Sequence, residues 1–274
     1  MNDRYAWTAA LVVATVSVVC AQDIWVGGGR FSRFGARFAT APDFDGSFQY
    51  CRAFYTSFGR GRGGWQTDYP GADNNFSVRL AELTRIKVKL DETRQPHHVV
   101  VPLNDPLLAH CPMVFMTDIE TARLTPQEAE GLRQYLLKGG FLWVDDSWGS
   151  RAWANWVNQI GRVLPPAEYP LVDVGRSHPI MRTLYDVPNI PQVPNIRFWA
   201  QSGGETSERG YDSAQVYFKG IHDAQGRLMV LISHNTDISD TWEREGEEPR
   251  SFFDTFSPRG YAIGVNVVIY AMSH

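Results

Sequence analysis

The chain has 274 residues, 43% of them hydrophobic and 20% charged, a composition long enough and apolar enough for a core that needs no staples. A net charge of −4 excludes the basic excess of a nucleic-acid binder, so no nucleic-acid partner is expected. The three cysteines stand in no recognisable nucleophile setting, which argues against a cysteine enzyme.

Residues 1–21 read as an export signal. Arg4 supplies a positive start, Trp7 to Val19 is apolar, and Val19-Cys20-Ala21 offers small residues before a cut ahead of Gln22. The run is shorter than the about 20 residues of a membrane span, with an uncleaved anchor as the alternative. After removal of the signal the expectation is a periplasmic or secreted protein with no transmembrane span. Cys51 and Cys111 then remain, and in an oxidising compartment they can pair, although nothing in the sequence brings them together.

Residues 22–45 form a lead-in segment with little periodicity, and residues 46–274 are assigned to one α/β domain. Phe48 to Tyr55 alternates and reads as the first strand. Gly59 to Gly64 contains the letters of a dinucleotide fingerprint, but no helix opens at once and no acidic residue follows at the required distance. A loop whose two arginines can grip an anion is the better reading, and no cofactor is expected. Asp73 or Asn74 is a natural helix cap, followed by the apolar stripe Phe76, Leu80, Leu83 with Arg79 on its edge. That arginine either snorkels out of the core or pairs with a carboxylate at the sheet end.

Val99 to Leu103 is the second strand, ending at Asn104-Asp105, with Asp105-Pro106 capping a short helix; Met113 to Met116 is the third, ending at Thr117-Asp118. Thr125 and Glu128 make a capping box with Pro126 at the first helical position, and Ala129, Leu132 and Leu136 give the buried stripe. Phe141-Leu142-Trp143-Val144 is apolar on both faces, as a strand covered on both sides must be, and it stops on Asp145-Asp146. Ser150 is the expected cap of the next helix, with Trp153, Trp156, Val157 and Ile160 on its inner face. Leu164 to Pro194 is proline-rich and predicts an irregular excursion; it holds His178, a turn residue or a site residue. Two segments, Ala214 to Ile221 and Arg227 to Ile232, predict a hairpin around Asp223-Ala224-Gln225-Gly226, and the second ends at His234-Asn235. Gly260 to Met272 closes the chain after a start at Ser257-Pro258; Val265, Val268, Ile269 and Met272 have helical spacing, and the β-branched run also suits a strand.

If the strands run parallel, the pairs Asn104-Asp105, Thr117-Asp118, Asp145-Asp146 and His234-Asn235 lie on one rim, joined by Asp73 and Asn74. Ordinary capping explains Asp105 completely, but Asp145 and Asp146 repel each other and need a cation, an arginine such as Arg79, or a shared proton. The candidate ligand-binding residues are therefore Asp73, Asn74, Arg79, Asn104, Asp118, Asp145, Asp146, Trp148 and Asn235, with the metal content open. Asp145, Asp146, His178 and His234 are the candidates for proton transfer. The charge is also uneven: Arg30, Arg33, Arg37, Arg52, Arg60 and Arg62 lie early, and Asp237, Asp240, Glu243, Glu245, Glu247, Glu248 and Asp254 lie late. They either face each other or are two solvated surfaces.

The segments DYPGADNNFSVRLAELT, LLKGGFLWVDDSWG, SHPIMRTLYDVP and GYAIGVNVVIYAM together resemble the bacterial domain-of-unknown-function family 4159, from about Phe48 to the C-terminus. That resemblance implies a class I glutamine-amidotransferase-like, flavodoxin-like fold: a three-layer α/β/α sandwich with a mostly parallel sheet. Where an amidotransferase carries its cysteine this chain has Asp145-Asp146-Ser147, and the G-x-S-x-G elbow is also missing. The expectation is a non-covalent binding domain of the cell envelope, for a small molecule or an envelope protein. A carbohydrate or amide hydrolase with Asp145 or Asp146 as general base is the alternative.

Overall fold

The computed structural model describes residues 35–58 and 64–274. Residues 1–21, expected to be an export signal, and the glycine-arginine stretch 59–63 lie outside the described residues. Seven strands form one sheet: β1 (Tyr50–Phe54), β2 (His98–Pro102), β3 (Val114–Thr117), β4 (Leu142–Ser147), β5 (Val172–Asp173), β6 (Tyr217–His222) and β7 (Leu228–His234). Their spatial order is β2-β1-β3-β4-β7-β6-β5. The first five in that row pair in parallel, and β6 returns antiparallel on β7 with β5 antiparallel beyond it. Counted along the chain, the five parallel strands stand in the doubly wound order 2-1-3-4-5, which puts the topological switch point between β1 and β3.

Side-chain alternation divides the sheet into two faces and produces the three layers. Tyr50, Phe115, Trp143 and Leu231 pack on one face with Phe76 of α1 (Gly71–Leu83) and Val265 and Val268 of the closing helix. Cys51, Ala53, Val114, Val144 and Ile232 pack on the other with Leu132 and Leu136 of α2 (Pro126–Leu137) and Trp156 and Ile160 of α3 (Gly149–Val163). Trp156 has no exposed surface, and its loss would cost about 3–5 kcal/mol through the cavity left behind. Cys51 on β1 and Cys111 after β2 are joined as a disulfide, with Cα atoms 6.0 Å apart.

Local signals held where the side chains act locally. Thr125 and Glu128 form both bonds of the capping box, and Glu128 reaches further to the Thr56 amide at 2.8 Å. Asp105 accepts from the Leu107 amide as predicted. Three boundaries differ. Helix α1 starts at Gly71 behind Pro70, without a side-chain cap, because Asp73 is committed to an ion pair. Ser150 lies inside α3, its amide bonded to Asp212, and Trp148 occupies the cap position. The short helices α4 (Ile196–Ser202) and α5 (Asp240–Glu243) precede α6 (Arg250–Ser273), which begins seven residues before Ser257 because Phe252, Phe253 and Phe256 bury an extra two turns; Pro258 lies within the helix.

Candidate functional site

Four polar residues at the carboxyl edge of the sheet share an uncommon backbone state. Asp68 (φ 63°), Asp118 (φ 47°), Asp146 (φ 53°) and Asn235 (φ 60°) are all left-handed. Aspartate and asparagine tolerate this region better than other residues that carry a Cβ, and the surroundings must hold them there. Asp118 accepts from the Gly64 amide at 2.6 Å, Asp146 from the Trp148 indole at 2.9 Å, and Asn235 from the Gly149 amide at 2.8 Å. Asp118 and Asn235 thus stand just past the ends of β3 and β7, Asp146 in a kink within β4 and Asp68 in the longer loop after β1, each held where its side chain reaches the edge.

A buried guanidinium fixes the loop after β1. Arg52 makes a bidentate ion pair with Asp73 and donates to the Thr67 carbonyl at 2.8 Å. Asp68 follows directly. The loop after β7 is held from the opposite side: the Asn75 amide group donates to the Trp242 carbonyl at 2.8 Å, and Ser257 donates to the carbonyl of Thr241.

Between these loops lies a cleft of about 250 Å³ whose walls include Asp68, Asp118, Asp146, Trp148, Glu208 and Asp237. Carboxylate oxygens of Asp68, Asp237 and Asp240 lie within 4.8 Å of one another. Asp240 is 1% exposed, and neither of its oxygens has a hydrogen-bond partner. The Ser239 hydroxyl lies 2.9 Å from Asp68 Oδ2 and 2.8 Å from Asp237 Oδ1, but it has only one proton to donate. Burial, then the Glu243 carboxylate, pushes Asp68 up to about 8. Burial followed by Asp240 and Asp68 raises Asp237, and burial followed by Asp68 and Glu243 raises Asp240. Asp146 is likewise raised by burial, then by Asp68 and Asp118. Arg52, Arg209 and Arg244 pull on members of this group, but each also contacts another carboxylate: Asp73, Glu120 and Glu243 respectively.

The predicted rim is therefore present, with a partly different membership. Asp118, Asp146 and Trp148 line the cleft. Asp145 does not: its carboxylate is fully buried and accepts from the Ser239 amide at 2.8 Å, so it supports the floor. Arg79 pairs with Glu245 and Glu82, not with Asp145 or Asp146. Asp73 is sealed against Arg52, and Asn74 holds the His98 ring at 2.9 Å. Asn104 lines a separate hollow with Gly131 and Gln134 on the α2 side. Asn235 spends its amide on Gly149 and on the Gln215 carbonyl. His178 caps a short turn and packs against His222 and Tyr270, near the strand ends opposite the cleft, because β6 runs backwards. His234 is buried against Ser147 Oγ, 3.0 Å away, and neither lines the cleft.

Asp68 and Asp240 escaped the strand-end reasoning because neither ends a strand. Asp240 left a trace in the Asp237, Asp240, Glu243 spacing, and Asp68 opens the DYPG segment.

The fold and site define a doubly wound α/β protein with an acid-lined cleft at its topological switch point. The model of the family described as Domain of unknown function (DUF4159) matches residues 55–272, and the chain belongs to that family. Comparison with curated proteins gives no match.

Proposed function

We propose that the chain is an exported, non-covalent binding domain that takes a small cationic ligand, such as an amino sugar or a polyamine, in the acidic cleft. The observation that carries this is convergence: the end of β4 and the loops after β1, β3 and β7 deliver Asp146, Asp68, Asp118 and Asp237 to one cleft with the Trp148 indole on its wall, where Arg209 is paired with Glu120. Such a field concentrates cations and disfavours anionic ligands. No thiol or hydroxyl nucleophile accompanies a histidine on that wall among the described residues. Export is supported by the residues before Gln22 and by the Cys51–Cys111 disulfide, a bond that persists in oxidising compartments. Among the described residues no helix is long and apolar enough to cross a membrane.

Ligand-observed NMR against polyamines, amino sugars and neutral oligosaccharides, run in EDTA, tests the reading. Binding of cationic members that is lost in Asp146→Asn is the expected result. Selective binding of anionic members, or none lost in that variant, would refute it. The hydrolase alternative keeps one observation, the presence of Asp146 on the cleft wall, and turnover of any glycoside or amide abolished by Asp146→Asn would favour it.

A further inference from the structure

The buried corner of the cleft holds more negative charge than its hydrogen bonds can satisfy. Asp240 is enclosed, with both oxygens unpartnered, and the adjacent polar side chain, Glu243, is itself a carboxylate. Asp237 and Asp68 compete for one hydroxyl proton from Ser239, and Asp237 Oδ1 also accepts from the Asp240 amide at 3.1 Å. Removing a carboxylate from water without a partner is costly, so a group like this must be protonated or bind a cation. Protonation offers one remedy, a proton shared between two of the acids, whereas a single cation satisfies three of them at once.

Geometry separates the two outcomes. Three oxygens no more than 4.8 Å apart leave a point within about 2.8 Å of all three, which brings a calcium–oxygen bond of ~2.3–2.6 Å within reach, and calcium's flexible coordination suits three carboxylates on two loops better than magnesium's strict octahedron. Oxygen-only donors suit a hard cation, and the absence of histidine or thiolate from the group disfavours zinc or copper. The cleft beside it gives an ion an entry path and room for water ligands.

We propose that Asp68, Asp237 and Asp240 bind one Ca²⁺ ion at the closed end of the cleft. The ion would draw the loop after β1 and the loop after β7 together, fixing the wall on which Asp146 and Trp148 stand. This goes beyond the ligand-binding reading and does not depend on it.

The test is calorimetric titration of the EDTA-stripped full chain with CaCl₂ near neutral pH, with metal content checked after dialysis. One Ca²⁺ per chain, a raised melting temperature, and affinity at least about 10-fold weaker in both Asp240→Asn and Asp68→Asn are expected. Asp68 is half-buried on a loop, so its variant serves if Asp240→Asn fails to fold. No binding tighter than about 1 mM, binding unchanged in both variants, or a response to Mg²⁺ but not to Ca²⁺ would overturn the site. The ligand screen is run in EDTA, so failure here leaves that reading separately decidable.

Discussion

The guanidinium of Arg52 on β1 and the carboxylate of Asp73 in the first turn of α1 form an ion pair with no solvent exposure on either side chain. Three aromatic rings surround the guanidinium, those of Phe115, Tyr69 and Tyr50 lying 5.4, 5.8 and 6.0 Å away. The pair lets a charged residue sit in the middle of an otherwise apolar strand, and its remaining N–H group fixes the loop that carries Asp68. Breaking one side leaves a buried charge alone. Asp73→Asn or Arg52→Ala should each lower stability by about 3–5 kcal/mol in urea unfolding. Replacing both residues with apolar ones of similar volume should recover most of that loss. A single variant within 1 kcal/mol of the parent, roughly the worth of an exposed pair, would show the bridge to be weak.

The same pair shows where sequence reading reached its limit. Capping at Thr125, the strand after it and the rim position of Asp118 and Asp146 were legible, because a capping box is local and parallel strands share an exit edge. Asp73 looked like a cap because capping and ion pairing use the same residue type, and its partner lies 21 positions earlier. Asp145 and Asp146 looked like a pair, but Asp146 takes a left-handed backbone within β4, where the register with β7 shifts, and the two carboxylates part. One meets the Ser239 amide and the other the cleft. His178 is the turn residue that its place before proline suggests, and nothing local reveals that the proline-rich excursion carries it to the opposite edge.

The Cys51–Cys111 bridge closes a loop of 60 residues between β1 and the segment leading into β3. Loop-closure entropy for that length gives a stabilisation of about 4 kcal/mol, an upper figure if the reduced chain keeps residual structure. Cys51→Ala/Cys111→Ala should therefore lose about 2–4 kcal/mol in denaturant, with the cleft residues unmoved in NMR spectra. An equally stable double variant would mean that the bridge is incidental.

His97 provides the pH dependence most cleanly separated from the acid cluster. It is 3% exposed, and burial followed by the Arg37 charge pulls its imidazole down to about 4, although Asp43 lies 3.1 Å away and opposes the shift. Its unfolded value is about 6.5. Between those values the unfolded chain binds the proton and the folded chain does not, so His97's contribution is complete above 6.5 and is lost as pH falls towards 4. The loss amounts to at most about 3 kcal/mol. His97→Gln should flatten the fall in unfolding free energy over that range. An imidazole resonance titrating at its ordinary value would remove the prediction.

Gly260 connects the closing helix to the acid cluster. A Cβ there would come within 2.5 Å of the Thr241 Cβ, and Thr241 follows Asp240 directly. The loop has little freedom to retreat, since Thr241 Oγ1 donates to the Ile238 carbonyl at 2.7 Å and Ser257 of α6 bonds the Thr241 carbonyl. Alanine is the better helix former, so in an open helix Gly260→Ala would stabilise by up to about 1 kcal/mol. Here overpacking should win, with a net loss of about 1–3 kcal/mol. Because the strain falls on the residue next to Asp240, Ca²⁺ affinity should drop as well, although Gly260 contributes no ligand atom. Gly226→Ala, at a hairpin position with φ 84° and nothing within 4 Å of its Cβ, is the control: it should lose stability through its backbone without touching the cation site. Equal effects of the two substitutions on Ca²⁺ binding would mean that α6 does not position the cluster.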